Sequence, residues 1–196
     1  MVSPQWGMTV AGPTSPVPDT EKRRPRESDL AVPVERYLAP LGYRVWVDPD
    51  GSDYFDVVAR RGEEVGLIEL KLADWKGVLA QAVARRGWGS WTAVVVPRES
   101  LGQRLLAHPR NERTARVGIW LVRGGTIEIL RPAAPSIAPG ENDPYESLRA
   151  EFRHLLDAME SGVLPPKVGW TYLRGWARFQ QGGRPAKSWS LEEFSP

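Results

Sequence analysis

The chain has 196 residues, 41% hydrophobic and 26% charged, with a formal net charge of +2 and no cysteine. That length and balance suit a globular domain with extensions and exclude a fibre or a repeat array. Without cysteine there are no disulfides, thiolate ligands or cysteine nucleophiles.

Any metal must therefore be held by oxygen or histidine. The two histidines, His108 and His154, stand far apart in unrelated contexts, which argues against a histidine-rich zinc site and favours hard cations. No apolar run approaches the roughly 20 residues of a membrane span, and the N-terminus lacks a charged-then-apolar signal pattern. The expectation is a cytoplasmic protein without membrane contact.

Residues 1–27 are rich in proline and glycine and lack apolar periodicity, so they read as a disordered or loosely attached leader. A helix follows, with Leu30, Val34, Tyr37, Leu38 and Leu41 at helical spacing. Ser28 or Asp29 would cap it, Pro33 falls in its first turn and Gly42 stops it. Glu35 lies beside this apolar stripe, where a glutamate ordinarily faces solvent. Tyr43 to Asp48 reads as a strand, and Pro49 to Ser52 as a turn.

The stretch from Asp56 to Lys71 is the organising one. Two apolar runs flank the polar turn Arg61-Gly62-Glu63-Glu64, and pairing outward from it sets Arg60 against Val65, Val58 against Leu67 and Asp56 against Glu69. Opposed residues of an antiparallel pair have Cβ atoms roughly 5 Å apart, and like charges there need neutralising. A divalent cation would do so. The period-2 pleat puts Lys71 on the face of Glu69. A structural Glu-Lys cluster on a solvated face is the competing reading, but Val57, Val58, Leu67, Ile68 and Leu70 suggest strands buried on both sides, where charges require partners or a metal.

A second helix should run from about Asp74 to Arg86, with Gln81 beside its apolar face, able to hydrogen-bond the lysine, a metal-bound water or a phosphate. Trp91 to Val96 makes the next strand, Leu101 to Ala107 a short helix, and Gly118 to Leu130 a hairpin turning at Gly124-Gly125. Residues 132–142 read as a linker. The last helix has Asp143 as N-cap, Pro144 at its first position and Glu146 completing a capping box. The segment 169–179 interleaves aromatics with arginines, which suits base stacking or, alternatively, a small apolar flap or a subunit contact. From Arg85 to Arg116 there are seven arginines against Glu99 and Glu112. That local excess suits a phosphate backbone, with Arg85, Arg86, Arg110, Arg113 and Arg116 as the nucleic-acid-binding candidates.

Asp56 in Phe55-Asp56-Val57-Val58-Ala59, then Glu69-Leu70-Lys71, with Glu35 in the preceding helix and Gln81 in the following one, resembles the PD-(D/E)XK phosphodiesterase superfamily. The wider pattern from Glu27 to Val83 is similar to uncharacterised bacterial phosphodiesterases of that superfamily and more loosely to archaeal Holliday-junction resolvases. Coverage is about residues 27–97, and Phe55 stands where the superfamily's naming proline would be.

The resemblance implies an α/β fold with a restriction-endonuclease-like mixed central sheet flanked by helices. The nuclease-like domain would span 28–131, and 143–196 would be a C-terminal helical extension with a basic-aromatic tail. It implies Mg2+, replaceable by Mn2+, held by Asp56, Glu69 and the Leu70 carbonyl, with Glu35 acting through water, Lys71 on the nucleophile and Gln81 assisting. The expected activity is a Mg-dependent endo- or exodeoxyribonuclease acting on nucleic acid, DNA first, in repair, recombination or defence. The alternative is an inactive nucleic-acid-binding or protein-interaction module of the same fold. A homodimer or a partner protein is compatible with either.

Overall fold

The computed structural model describes residues 25–48, 55–108, 112–137 and 143–180. Strands β1 (Arg44–Val47), β2 (Val57–Arg61) and β3 (Glu64–Leu70) form an antiparallel meander. Its second hairpin has the register read from the sequence, Val57 opposite Ile68 through Arg61 opposite Glu64. Gly62 takes φ 59° at the turn, a left-handed conformation in which a side chain would be strained.

Helix α2 (Trp75–Arg85) then carries the chain over to β4 (Trp91–Val96), which runs parallel to β3. Helices α3 (Glu99–Ala107) and α4 (Glu112–Ala115) lead to β5 (Gly118–Arg123), parallel to β4. The Gly124-Gly125 turn, with φ 58° and 80°, returns it as antiparallel β6 (Thr126–Arg131). The product is a six-stranded mixed sheet in the order β1-β2-β3-β4-β5-β6, flanked by helices. An α/β architecture follows, as the patterning anticipates. No helix of the described residues is long and apolar enough to cross a membrane.

Alternation along the strands sorts side chains to two covered faces. On one, a 3-10 turn (Glu27–Leu30) and α1 (Ala31–Leu38) pack Leu30, Val34 and Leu38 against Val57, Ala59, Ile68, Leu70 and Val95. Pro33 sits in the first turn of α1, where its missing N–H costs nothing. Leu41 does not join this stripe and is 46% exposed, because the chain leaves α1 through a second 3-10 turn (Ala39–Leu41).

The opposite face is covered in two parts. Val78, Leu79 and Ala82 of α2 and Leu101 and Leu105 of α3 lie on Val94, Val96, Ile119 and Leu121. Helices α5 (Glu146–Glu160) and α6 (Pro166–Gln180) lie over β1 to β3, with Phe152, Leu156, Trp170 and Leu173 against Trp46, Val58, Val65 and Leu67. Phe55, Trp88, Phe152 and Trp176 interlock with ring centroids 5.3 or 5.5 Å apart. Arg60, 9% exposed, ties β2 to α5 through Asp157 at 2.6 Å.

One open reading is decided here and two expectations change. The aromatic-arginine segment belongs to α6, where Trp170, Leu173, Trp176 and Ala177 are buried, so these side chains pack the core and offer no stacking surface. The start of the expected linker is pinned down: Pro135 bridges Trp91, and Ser136 N donates to Ser90 O at 2.8 Å. The capping box does not form, since α5 starts at Glu146 and Asp143 instead accepts from Tyr145 N at 2.9 Å and pairs with Arg149. Residues 1–24 of the leader and 138–142 of the linker lie outside the described residues.

Gly66 opposes Trp91 in the parallel pair, and a Cβ there would run into the indole. Gly66→Ala should therefore lower stability by about 1–3 kcal/mol, the usual cost of overpacking. Chemical denaturation of the variant beside the parent protein checks this.

Candidate functional site

The β2–β3 ladder ends at Val57 opposite Ile68. One residue earlier, Asp56 turns its carboxylate into the ladder, and Oδ2 accepts from Leu70 N at 2.7 Å. A side chain thus takes the place of the next backbone acceptor. Glu69 shares the strand face of Val65 and Leu67, toward the α2 side of the sheet, and is 3% exposed. Arg85 of α2 donates from Nη1 to Glu69 Oε1. Beyond β3 the backbone stays pinned to β4, with Lys71 N donating to Val95 O at 3.0 Å.

Lys71 Nζ donates to Glu27 Oε2 at 3.1 Å, and the other oxygen of Glu27 accepts from Leu72 N at 3.3 Å. Asp48, just past β1, donates its N–H to Asp56 O at 2.9 Å. Its buried carboxylate lies 3.8 Å from Arg174 of α6. Acidic and basic groups from three strand ends, one 3-10 turn and two helices therefore converge on the end of the central hairpin.

Burial dominates the electrostatics. Desolvation pushes the Asp56 carboxyl up to about 6, with the charge of Glu27 adding to the rise, while the Leu70 N–H and the Lys71 and Arg85 cations oppose it. Desolvation raises Glu69 as well, against the pull of Arg85 and with a further push from the Asp56 charge. Two carboxyls held above their ordinary range next to cations are strained as anions. A divalent cation would relieve that strain.

The donor chemistry fits such an ion. Asp56, Glu69 and the Leu70 carbonyl offer hard oxygen only, and magnesium is commonly held by one or two carboxylates with water and substrate phosphate completing its shell. Among the described residues no group of three or more acidic or histidine side chains forms a metal-sized cage.

The other candidates are placed differently. Glu35 is exposed, because α1 turns Ala31, Val34 and Leu38 toward the sheet. The acidic residue that reaches the centre is Glu27, from the turn that precedes α1. Gln81 is half-buried on α2, beside its apolar face. Arg85 is 4% exposed and engaged by Glu69, so it is no phosphate contact on an open surface.

Arg116 precedes β5, and its Nη1 donates to Pro135 O at 3.2 Å. Gly118 aligns with Ala93, which puts Arg116 at the entry of the parallel strands, whereas Lys71 follows their exit. Arg86 is half-buried in the 3-10 turn after α2. Arg110 and the side chain of Arg113 lie outside the described residues. The described arginines of this set therefore build no basic wall beside the carboxylates.

One further residue of the centre was readable in principle. Arg85 falls on the stripe of Val78 and Ala82, and a charge on an apolar stripe demands a buried partner. Glu27 opens the turn that leads into α1, though nothing in its spacing identifies Lys71 as its target.

No family model matches the chain, and no curated protein matches it. Among solved structures, the SPO1766 protein of unknown function from Silicibacter pomeroyi matches 81% of this chain and 94% of its own, at 19% identity and a TM-score of 0.46.

Two substitutions test the electrostatics. Arg85→Met leaves Glu69 buried and unpaired, so at pH 8 it should cost about 3–5 kcal/mol. The cost should shrink on acidification as Glu69 takes up a proton. For Asp56 the sign is opposite to that of an ordinary carboxylate. With its folded value raised to about 6 from 3.8, the proton it binds stabilises the fold below pH ~4, and that contribution is lost as pH rises through 6. Asp56→Asn should accordingly flatten the stability profile between those values and be more stable than the parent at pH 8, by about 2–3 kcal/mol. Urea titrations across pH measure both.

Proposed function

We propose that this chain is a divalent-metal-dependent phosphodiesterase acting on nucleic acid, DNA first, with its mixed sheet in a restriction-endonuclease-like arrangement. What carries the reading is the pair of desolvated carboxylates, Asp56 and Glu69, at the end of one hairpin with Lys71 beside them. The antiparallel β1–β3 meander followed by a helix and a parallel strand supports the same reading.

Asp56 and Glu69 hold the ion, with the Leu70 carbonyl as a third donor. A bound magnesium or manganese ion supplies polarisation of the phosphoryl oxygens and a water of lowered pKa. The Lys71 ammonium orients the attacking water and stabilises the charge that develops on the phosphoryl oxygens. Glu27 keeps the Lys71 ammonium near the scissile group, and Arg85 fixes Glu69 in one orientation. Release of Lys71 from Glu27 accompanies substrate entry, since a phosphate competes for the same ammonium.

A second reading, a binding module of the same fold without hydrolysis, is favoured by one observation. Arg85 and Glu27 already engage two of the three central groups, Glu69 and Lys71.

Magnesium titration followed by cleavage assays on duplex, branched and single-stranded DNA and on RNA separates the two. Under the enzyme reading, Asp56→Asn loses metal affinity and cleavage together while nucleic-acid binding persists, because repulsion of phosphate is relieved. Lys71→Ala keeps metal affinity and loses cleavage by about 10²–10³-fold, the range for removing one donor that stabilises developing transition-state charge. Tight binding with no hydrolysis of any substrate, manganese included, would establish the binding module instead.

A further inference from the structure

On the face of the sheet that carries α1, an open groove of about 200 Å³ lies between the end of that helix, the start of β4 and the chain after β6. Its floor is the buried pair of indoles Trp91 and Trp120. Tyr37 and Tyr43 stand against them at the sides, with ring centroids along this chain of contacts 5.5 to 5.9 Å apart. Two large apolar side chains at the rim, Leu41 and Ile129, are 46% and 37% exposed, and Pro132 at the same rim is exposed as well.

The polar groups around Glu64 satisfy one another. Glu64 accepts from the Tyr43 hydroxyl, the Trp91 indole and Arg61, the last at 2.8 Å. The guanidinium of Arg61 also lies 4.6 Å from the centroid of the Tyr43 ring. What the rim presents to an occupant is aromatic and aliphatic surface whose charge is already balanced. Aromatic-lined grooves of this kind take proline-rich segments, because a polyproline II helix is extended before it docks and loses little conformational freedom in doing so.

Such a segment is present in this chain. Residues 13–18 read Pro-Thr-Ser-Pro-Val-Pro, and the three residues per turn of polyproline II set Pro13 and Pro16 on one edge. Its reach also fits. The chain passes from Pro25 through the 3-10 turn and α1 to Tyr37, a helical path of about 20 Å. Turning back at Pro25 and running antiparallel to α1 at roughly 3.1 Å per residue, a polyproline II segment covers that path in about six or seven residues. This brings Pro18 to Tyr37 and Pro16 to Leu41. Trp6, the aromatic residue of the same stretch, stands beside Gly7, in a segment that would lose more freedom on docking.

We infer that this groove is the docking site of the chain's own residues 13–18, held as a polyproline II segment with Pro16 and Pro18 on Tyr37, Tyr43 and the rim of Leu41 and Ile129. The inference does not rest on phosphodiester cleavage, since Glu69 shares the strand face of Val65 and Leu67, away from α1.

The absence of cysteine makes the test direct: Ser15→Cys in the full chain carries a single nitroxide spin label beside the docked prolines. In the amide correlation spectrum, the signals of Leu41, Tyr43 and Ile129 should be lost and should return when the nitroxide is reduced. Those of α5 and α6, on the other face, should persist. Leu41→Glu, at an exposed position that leaves the core intact, should restore the signals of Tyr43 and Ile129 in the labelled chain. Pro16→Ala combined with Pro18→Ala should do the same, and Trp6→Ala should not.

Mixing the spin-labelled chain with an isotope-labelled parent chain asks whether the segment crosses to a second copy. Loss of the same signals in that mixture assigns the groove to another copy's segment and overturns the inference. So do signals retained at Tyr43 and Ile129 in the labelled chain, or losses spread evenly over both faces of the sheet. Losses that survive Leu41→Glu or the double proline substitution, or that Trp6→Ala abolishes, overturn it as well. Any of these leaves the carboxylate site's reading as it stands.

Discussion

Desolvating a carboxylate in the middle strand of a sheet costs several kcal/mol unless an opposite charge is buried with it, and Arg85 is the charge that comes with Glu69. Reaching Glu69 fixes more than one side chain. It holds α2 along the sheet with Val78 and Ala82 on Val94 and Val96, which in turn positions the crossover into β4. The same device recurs on this face: Arg60 of β2 meets Asp157 of α5, and Asp48 beyond β1 approaches Arg174 of α6. Apolar packing accounts for helices covering the face at all. The three ion pairs distinguish which helix lies over which strand, because a helix displaced by one turn would strand a buried charge.

The candidate centre sits where β3 changes partners. On one side the antiparallel ladder with β2 stops at Ile68, and on the other the parallel bonding to β4 continues through Lys71. Leu70 N is left without a backbone acceptor, and Asp56 provides one with its side chain. The carboxylate is thereby locked in place by the hydrogen-bonding needs of the sheet itself. Its orientation does not depend on a surface side chain choosing a rotamer, which is the preorganisation a metal or phosphate site needs.

The hairpin register, the bounds of β4 and the Gly124-Gly125 return were legible because alternation and turn residues act over short stretches of chain. Asp56, Glu69 and Lys71 were legible together for the same reason, being joined by one hairpin. Glu27 was not, since the chain enters α1 through a 3-10 turn whose geometry leaves no 3.6-residue signature, and the stripe that identifies α1 points Glu35 outward. The arginine-rich stretch misled in another way. Density along the chain is not density in space once Arg85 turns into the core and the chain between Arg86 and Arg116 runs through β4 and back along the helices. The C-terminal aromatics carried a readable helical spacing, Trp170, Leu173, Trp176 and Ala177, which the alternating arginines obscured.

Sheet order and chain order coincide in this protein, and that has a bearing on how it comes to be made. Each strand pairs with the one synthesised just before it, so no strand waits for a partner beyond its neighbour in the chain, a condition that favours sequential assembly. The exception is the layer formed by α5 and α6, which returns across the whole sheet to cover Trp46, Phe55, Val58 and Leu67. Until those helices leave the ribosome, the earliest strands present a broad apolar face with nothing over it. The nascent chain thus passes through a stage in which its first strands are its most adhesive part, and the layer of α5 and α6 ends it.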